Sequence, residues 1–409
     1  MAAFAPPPPL TTPRPLRPAA PSIAELGLAF AASAGATALL PLRTGVLSTA
    51  HPLFPNPWDH QKYLHMAAHQ PGDFHIAPFC WRIGGPWLAR ALSVDLQVSF
   101  FLITFVSIAL TGAALYALAR ALGFSRVMGA AGTAMFFSLA WGPKFALWDF
   151  WLPDGASFLL ATVAIFAVVT SRDLLFAAVL TLGVTVKESV LFTGPLLYSL
   201  RATKPIDVRL AARCLVCMLP AALVGLSLRL AIPQRNMDRA YWSSIPATVV
   251  NPSDFAPYDL AWLLATLGRQ RAQTFSVDVL GAFTFGTYGV LLIALPFFAL
   301  ARNASLFARF LPFLALVYAQ VLFASNTERL LVAGFPAVIL LSLNGLDRIA
   351  SFRDVEPVAL LPLPLAFVAL NVLHAPLGQP PTAIQWLVLV GYLAVLVCLP
   401  RRALAPGRG

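Results

Sequence analysis

The chain has 409 residues, of which 59% are hydrophobic and only 11% are charged, with a formal net charge of +11. Soluble domains carry about 25% charged residues, so this composition excludes a soluble globular protein and requires lipid as solvent for much of the surface. No basic run interleaves with aromatic residues, so we predict no nucleic-acid partner and attribute the excess basic charge to short loops that orient a membrane protein.

Residues 1–21 are crowded with prolines, which disfavour both a helix and a packed core. We predict a disordered cytoplasmic tail there. The apolar stretch 22–42 follows Arg14 and Arg17, an order that is also found in signal peptides. Because this stretch is long enough to cross a membrane, we favour an uncleaved first transmembrane helix.

Further apolar runs predict an all-α polytopic fold with about twelve transmembrane helices. We place the helices at 22–42, 96–118, 127–142, 155–170, 174–186, 189–200, 210–232, 277–300, 310–324, 330–346, 357–373 and 383–399. An even number puts both termini on one side, and the arginines of the short loops make that side the cytoplasm. We therefore divide the chain into a tail at 1–21, a catalytic region at 22–346, and a C-terminal part at 347–409 that contains the last two spans and a basic tail.

Two long loops, 43–95 and 233–276, fall on the outer side in this topology, where we expect any chemistry to take place. The first contains five of the six histidines. His65 and His69 are four residues apart, a spacing found in zinc sites but also on any polar helix face. The second loop contains an amphipathic stretch in which no single residue stands out.

Asp59 opens a stretch with helical periodicity that puts Tyr63 on the same face and suggests a helix at the membrane surface. Its carboxylate is a candidate general base or metal ligand, and equally a helix N-cap. Further along the loop, Arg82 lies among tryptophans before the second span. It either extends to lipid headgroups or binds a phosphate through two parallel hydrogen bonds.

Asp149 and Asp154 lie in the next outer loop, where Asp154 is also a candidate helix cap. Lys187 and Glu188 interrupt the apolar run 174–200. Ionisable groups at such a position are costly and are usually functional, although a structural ion pair at a helical turn is the alternative.

Glu328 and Arg329 begin a later span after a tight outer turn. A local ion pair explains Glu328, which suits a helix N-terminus. Arg329 opposes the helix dipole there, so an anionic ligand explains its position better.

These motifs occur in the order WDHQKYLHMA, FCWRIGGPWLAR, DFWLPDG, VTVKESVLF and NTERLLVAGFP. In order and topological side they resemble the GT-C superfamily of integral-membrane glycosyltransferases, in particular its poorly characterised bacterial branch. The resemblance covers residues 22–345. It implies a polyprenyl-phosphate-linked sugar donor that is used at the outer face of a bacterial cytoplasmic membrane.

The resemblance further implies a catalytic role for Asp59 and for one of Asp149 and Asp154. Many members have a second acid two residues from the first-loop Asp; here that position is Gln61, which leaves open whether a divalent metal (Mg²⁺ or Mn²⁺) takes part. Lys187, Arg329 and Arg82 would bind the donor phosphate.

Tyr63, Glu188 and Glu328 would have supporting roles, and the acceptor (lipid, glycan or protein) is unassigned. With the base and the leaving group on opposite sides of the sugar, inversion is expected. The alternatives are a twelve-span secondary transporter and a non-catalytic membrane protein with a similar frame.

Overall fold

The computed structural model describes residues 21–204, 206–268, 276–323 and 327–398. Most of the predicted N-terminal tail and of the basic C-terminal tail lie outside these ranges. Within them all regular secondary structure is helical. The α-helices of six or more residues are α1 Ile23–Leu39, α2 Asp59–Ala68, α3 Gly84–Ala91, α4 Leu96–Ala121, α5 Arg126–Phe137, α6 Asp154–Val169, α7 Asp173–Val186, α8 Leu196–Arg201, α9 Val208–Ala231, α10 Arg239–Ser244, α11 Val277–Ala294, α12 Leu300–Ala319, α13 Phe335–Arg353, α14 Pro362–Leu373 and α15 Thr382–Cys398.

Shorter helical pieces connect these helices. The short α-helices are Pro41–Thr44, Phe145–Trp148, Leu260–Trp262 and Thr327–Leu331. The 3₁₀ turns are Pro71–Asp73, Phe79–Trp81, Glu188–Thr193, Pro252–Asp254, Leu295–Ala299, Gln320–Phe323, Val332–Gly334 and Pro357–Leu360. Two π-helical segments occupy Ala140–Lys144 and Leu263–Gly268.

Among the described residues, five helical stretches are long and apolar enough to cross a membrane. They are Ile23–Thr44, Leu96–Ala121, Val208–Ala231, Val277–Leu322 and Thr327–Arg353. Four shorter apolar helices accompany them: Asp154–Val169, Asp173–Val186, Pro357–Leu373 and Thr382–Cys398. A helix that crosses a membrane needs about 20 residues. The length and composition of these helices are therefore those of a helical integral membrane protein.

One predicted span and one predicted loop require correction. The run 189–200 is not one helix: the 3₁₀ turn Glu188–Thr193 is followed by the six-residue helix α8, because Pro195 removes a backbone donor between them. The predicted inner loop between 300 and 310 is also helical. A hydrogen bond of 3.0 Å between the hydroxyls of Thr284 and Tyr318 shows that α11 and α12 fold back on each other, with the bend at 295–299.

Side-chain caps explain where several of these helices begin. The Ser22 hydroxyl accepts a hydrogen bond from the backbone N–H of Glu25, and Ser125 does the same at the start of α5. Asp95 accepts from Val98 N at 3.2 Å at the start of α4. By contrast α2 and α6, which begin at Asp59 and Asp154, have no side-chain cap. These two carboxylates are engaged elsewhere.

The C-terminal helices are bonded into the same core as the earlier ones. Lys144 is fully buried, and its ammonium donates hydrogen bonds to the backbone carbonyls of Asn371 in the last turn of α14 (3.0 Å) and of His374 and Pro376 (2.8 Å) just after that helix. The Asn371 amide donates to the carbonyl of Phe137 at 3.0 Å. Together these bonds fix the segment that leads from α5 towards Asp149.

The two long loops, 43–95 and 233–276, pack on each other around an apolar cluster. Tyr63 and Met66 of α2 lie in it with Trp151 and with Val249 of the second loop. Because His60, Gln61 and Lys62 are also buried, protein covers most of α2, and its apolar side, which was expected to face lipid, contacts this cluster instead. This enclosure brings the polar residues of α2 against the helix ends below.

Helix α11 is interrupted at Gly289, which has a positive φ of 68°. The backbone groups freed by the break are bonded to glutamine side chains. Val290 N donates to Gln385 Oε1 at 2.8 Å, and the carbonyl of Thr287 accepts from Gln379 Nε2 at 3.0 Å. The break is therefore a stable element of the fold.

Gly345 provides a test of the core packing of α13. A Cβ at this position would lie 1.9 Å from the backbone carbonyl oxygen of Leu295, which has no room to move in a buried bend. Gly345→Ala should therefore lower the stability by about 1–3 kcal/mol or more. Thermal unfolding in detergent would measure the loss, with Gly391→Ala as the control because nothing lies within 4 Å of a Cβ there. Equal midpoints for the two variants would contradict this packing.

Candidate functional site

Arg329 is the centre of an ion-pair network at one end of the helices. It lies on the short helix Thr327–Leu331, and only 7% of the residue is exposed. Its Nε donates to Asp154 Oδ2 at 2.6 Å and its Nη1 donates to Asp59 Oδ2 at 3.1 Å. A local pair with Glu328 therefore does not explain Arg329, since the guanidinium binds two carboxylates that are distant in the sequence.

Asp154 receives a second cation from the break after α7. The Lys187 ammonium bonds to Asp154 Oδ1, while Arg329 holds Oδ2, so both oxygens of this almost fully buried carboxylate are occupied. Asp154 is the first residue of α6, but its side chain makes no cap bond. Asp154 therefore does not cap α6. Its carboxylate bridges two cations instead.

Lys187 and Glu188 do not pair with each other. Lys187 ends α7 with extended backbone, which directs it to Asp154, whereas Glu188 binds Arg82. The Arg82 Nε donates to Glu188 Oε2 at 2.8 Å and its Nη2 donates to Oε1, a bidentate arrangement. The third contact is Arg82 Nη1 to the Tyr63 hydroxyl at 3.2 Å. Glu188 holds the pKa of Arg82 well above its usual value, against the effect of burial.

Asp59 lies at the accessible edge of the network. A third of its side chain is exposed, while Arg329 binds Oδ2 and Lys62 Nζ lies 3.7 Å from Oδ1. Burial opposes ionisation of Asp59, but Arg329 and Lys62 outweigh it and lower the pKa of the carboxyl below its usual value. Asp59 is thus held as a carboxylate. As it makes no cap bond, the cap interpretation is not supported.

Lys62 and Asp254 belong to the site although no sequence pattern singled them out. Lys62 is buried, with its ammonium 2.9 Å from Asp254 Oδ2 and 4.4 Å from the centre of the Phe79 ring. Asp254 comes from the long loop 233–276, where Asn251 N donates to the same Oδ2 at 2.9 Å. The three-residue spacing of Asp59 and Lys62 could have predicted their contact from the sequence. No sequence pattern could have predicted the contact of Asp254 with Lys62.

Asp149 is buried beside the network without a direct ion pair. Its Oδ1 has no hydrogen-bond partner within the described part of the chain. The adjacent backbone is fixed, because the Trp148 carbonyl accepts from Leu47 N at 2.7 Å and the Phe150 carbonyl accepts from the Thr104 hydroxyl at 2.8 Å. Burial raises the pKa of Asp149 to about 8; Arg329 opposes the shift. At neutral pH this carboxyl therefore holds a proton.

The charges of the network balance. Four cations, Lys62, Arg82, Lys187 and Arg329, each contact at least one carboxylate. The carboxylates are those of Asp59, Asp154, Glu188 and Asp254. Asp149 is a fifth acid and is neutral when protonated. Buried charges are tolerated when they are paired in this way.

Most of the sequence-predicted residues are brought together: Asp59, Tyr63, Arg82, Asp149, Asp154, Lys187, Glu188 and Arg329. Glu328 is not, because its side chain lies against Gly286 of α11. The catalytic and phosphate-binding roles of all these residues stay predictions. No protein-family model matches the chain, and no curated protein is significantly similar to it.

The acids do not form a metal site as they are arranged. Among residues 21–204, 206–268, 276–323 and 327–398, no group of three or more His, Cys, Asp or Glu side chains could hold a metal ion. The oxygens of Asp59 and Asp154 are bonded to Arg329 instead. His65 and His69 stack with ring centres 4.2 Å apart, and the Nδ1 of His69 bonds to the His65 carbonyl. The carboxylate oxygens of the network are thus arranged to bind guanidinium and ammonium groups rather than Mg²⁺, Mn²⁺ or zinc.

Removing the central cation should destabilise the fold. In Arg329→Gln, Asp59 and Asp154 lose their shared partner and a buried carboxylate is left with excess charge, at a cost of about 3–5 kcal/mol. Arg235→Gln is a matched control, because Arg235 forms an exposed ion pair with Asp238 at 2.6 Å, a class worth about 0–1 kcal/mol. Thermal unfolding in detergent compares the two. A wild-type midpoint for Arg329→Gln would show that the network does not stabilise the protein.

Asp149 makes stability depend on pH. Its folded pKa of about 8 lies above the unfolded value of about 4, so between these pH values only the unfolded chain releases the proton. Wild-type stability should therefore fall, relative to Asp149→Asn, by up to about 1.4 kcal/mol per pH unit as the pH rises from about 4 to about 8, and then level off. Unfolding midpoints across this range test the shift. Parallel pH curves for the two proteins would rule it out.

Proposed function

We propose that this chain is an inverting glycosyltransferase that moves a sugar from a polyprenyl-phosphate donor to an acceptor at the outer face of a bacterial cytoplasmic membrane. The observation that carries the proposal is the charged network around Arg329. Cations from three separate places in the chain, Arg82, Lys187 and Arg329, meet next to a partly exposed carboxylate, Asp59. A lipid phosphate at the ends of apolar helices would find its counter-charges there.

The cations of the network are bonded to carboxylates, so the donor phosphate has to compete for them. The phosphodiester of the donor offers Arg and Lys the same kind of oxygen acceptors and one negative charge, and a second charge develops as the anomeric bond breaks. The phosphodiester can take over Lys187, which is now bonded to Asp154, and the Nη1 group of Arg329, which is now bonded to Asp59. Arg82 can bind the phosphate only after it leaves Glu188, to which it donates two hydrogen bonds.

The same exchange would prepare Asp59 as a base. Arg329 and Lys62 lower the pKa of this carboxyl, which makes it a weak base in the unliganded protein. When Arg329 turns to a phosphate, part of its positive charge is neutralised and the pKa of Asp59 rises. Binding of the donor would therefore increase the basicity of Asp59 at the moment when an acceptor hydroxyl has to be deprotonated.

The reaction then needs one displacement. The acceptor oxygen attacks the anomeric carbon, its proton moves to Asp59, and the bond from the anomeric carbon to the phosphate oxygen breaks. Polyprenyl phosphate leaves with the electron pair of that bond. Lys187 and Arg329 stabilise the charge that develops on it. Attack from the side opposite the leaving group inverts the anomeric centre.

The finer architecture is part of the proposal. About twelve spans in a GT-C-like arrangement accommodate the helices α1, α4–α7, α9 and α11–α15, if the broken segment Glu188–Arg201 forms one leg of a shallow hairpin. Arginines in the short connections support cytoplasmic termini and an outward charged network. The C-terminal helices would stabilise the frame, through the bonds of Lys144 and Gln385, rather than contact the donor.

A secondary transporter is the second candidate, and the break in α11 is the observation that favours it. Transporters of several folds bind substrate at discontinuous helices near the middle of the membrane. The break at Gly289 is bonded to Gln379 and Gln385, so it is closed in this conformation. A non-catalytic membrane protein with the same frame would tolerate loss of both Asp59 and Lys187.

Asp59→Asn tests the proposed reaction. The amide keeps the size of the side chain but cannot accept the proton, so transfer should fall by at least about a hundredfold. The measurement is release of undecaprenyl phosphate from a panel of radiolabelled undecaprenyl-phosphate sugars by membranes containing the protein. Asp73→Asn is the control, because Asp73 is an exposed acid of the same outer loop and makes no contact with Arg329.

Full activity of Asp59→Asn would refute Asp59 as the base. If wild-type membranes release no undecaprenyl phosphate from any donor of the panel, the glycosyltransferase proposal itself fails. Uptake of labelled solutes into vesicles then tests the transporter. In that case Gly289→Ala, which cannot easily adopt the positive φ, should abolish uptake.

A further inference from the structure

A separate cavity lies at the ends of α13 and α15, among residues that the proposed reaction does not use. It has a volume of about 480 Å³, within the range of small-ligand pockets. Phe298 of the bend 295–299 forms one wall, Phe352 of α13 another, and Val397 of α15 a third. Arg348 is a charged residue in the lining.

The walls expose large apolar side chains. Phe352 is 68% exposed, Val397 63% and Phe298 45%. One helical turn separates Phe352 from Arg348, so the charged group and the ring lie on the same face of α13. A ligand that fits such a cavity is apolar along most of its length and anionic at one end.

Asp347, the acid next to Arg348 in the sequence, is paired with another cation. Asp347 is bonded to Arg302 at the start of α12, at 3.0 Å. Arg353 has a structural role: its Nη2 donates to the backbone carbonyls of Leu396 (3.0 Å) and Val397 (2.6 Å) at the end of α15. This contact joins α13 to α15 and holds the cavity between them, with the exposed Arg348 at its edge.

We infer that this cavity binds one anionic phospholipid, with an acyl chain along Phe298, Phe352 and Val397 and the headgroup phosphate on Arg348. Basic residues at an apolar crevice between membrane helices are suited to such headgroups. Attraction to the dipole at the end of α13 would explain a basic residue there, but not a cavity with three exposed apolar walls beside it. The inference does not depend on the proposed reaction.

Native mass spectrometry of the full-length protein in detergent tests this inference. The probes are dioleoyl phosphatidylglycerol and dioleoyl phosphatidylcholine, which share acyl chains and differ in net charge. Wild-type protein should retain phosphatidylglycerol in preference to phosphatidylcholine. In Arg348→Gln the ratio of retained phosphatidylglycerol to retained phosphatidylcholine should fall about fivefold. Arg209→Gln is the control, because Arg209 is an exposed arginine at the start of α9 and does not line the cavity.

A second variant tests the cavity itself. Val397→Trp fills part of the volume, so it should reduce retention of both lipids, and inorganic phosphate should not displace phosphatidylglycerol from the wild type. The inference is overturned if Arg348→Gln keeps the wild-type preference, or if Arg209→Gln loses as much. It is also overturned if Val397→Trp leaves the retention of both lipids unchanged, or if inorganic phosphate alone displaces phosphatidylglycerol.

Discussion

A buried guanidinium cannot exist without counter-charges, and this requirement at Arg329 organises one end of the molecule. Its partners Asp59 and Asp154 come from the starts of α2 and α6. Lys187 adds the end of α7 to the same network. Four distant parts of the chain are therefore held together by charges that would each be costly alone. Neither Asp59 nor Asp154 caps its own helix, because each is needed by Arg329.

The paired network has properties that suit the proposed binding of a phosphate. Its cations are present before any ligand arrives, and each is already oriented by a carboxylate, so little reorganisation is needed when one anion replaces another. Asp149 remains protonated and thus adds no negative charge that would repel a phosphate. Lys62 is held by Asp254 and so connects the loop 233–276 to Asp59.

The sequence predicted more of this site than of the connections around it. Ionisable residues such as Asp154, Lys187 and Arg329 stand out because an apolar segment tolerates them only when they have partners. Which partners they have was not predictable: the adjacent residues Lys187 and Glu188 bind different groups, since the extended backbone at Lys187 separates them. Asp254 was missed because the fold of a long loop, and not its local pattern, brings it to Lys62.

Most of the hydrophobic runs correctly predicted helices, whereas helix ends and breaks depended on contacts that no periodicity encodes. The 189–200 run is divided at Pro195, and the break at Gly289 is stabilised by glutamines about 90 residues further on. The most direct test of the account is an experimental structure with undecaprenyl phosphate bound. The phosphate oxygens should lie about 2.7–3.2 Å from Lys187 and Arg329, with the Lys187–Asp154 bond replaced. A phosphate bound away from both cations, with that ion pair intact, would contradict the account.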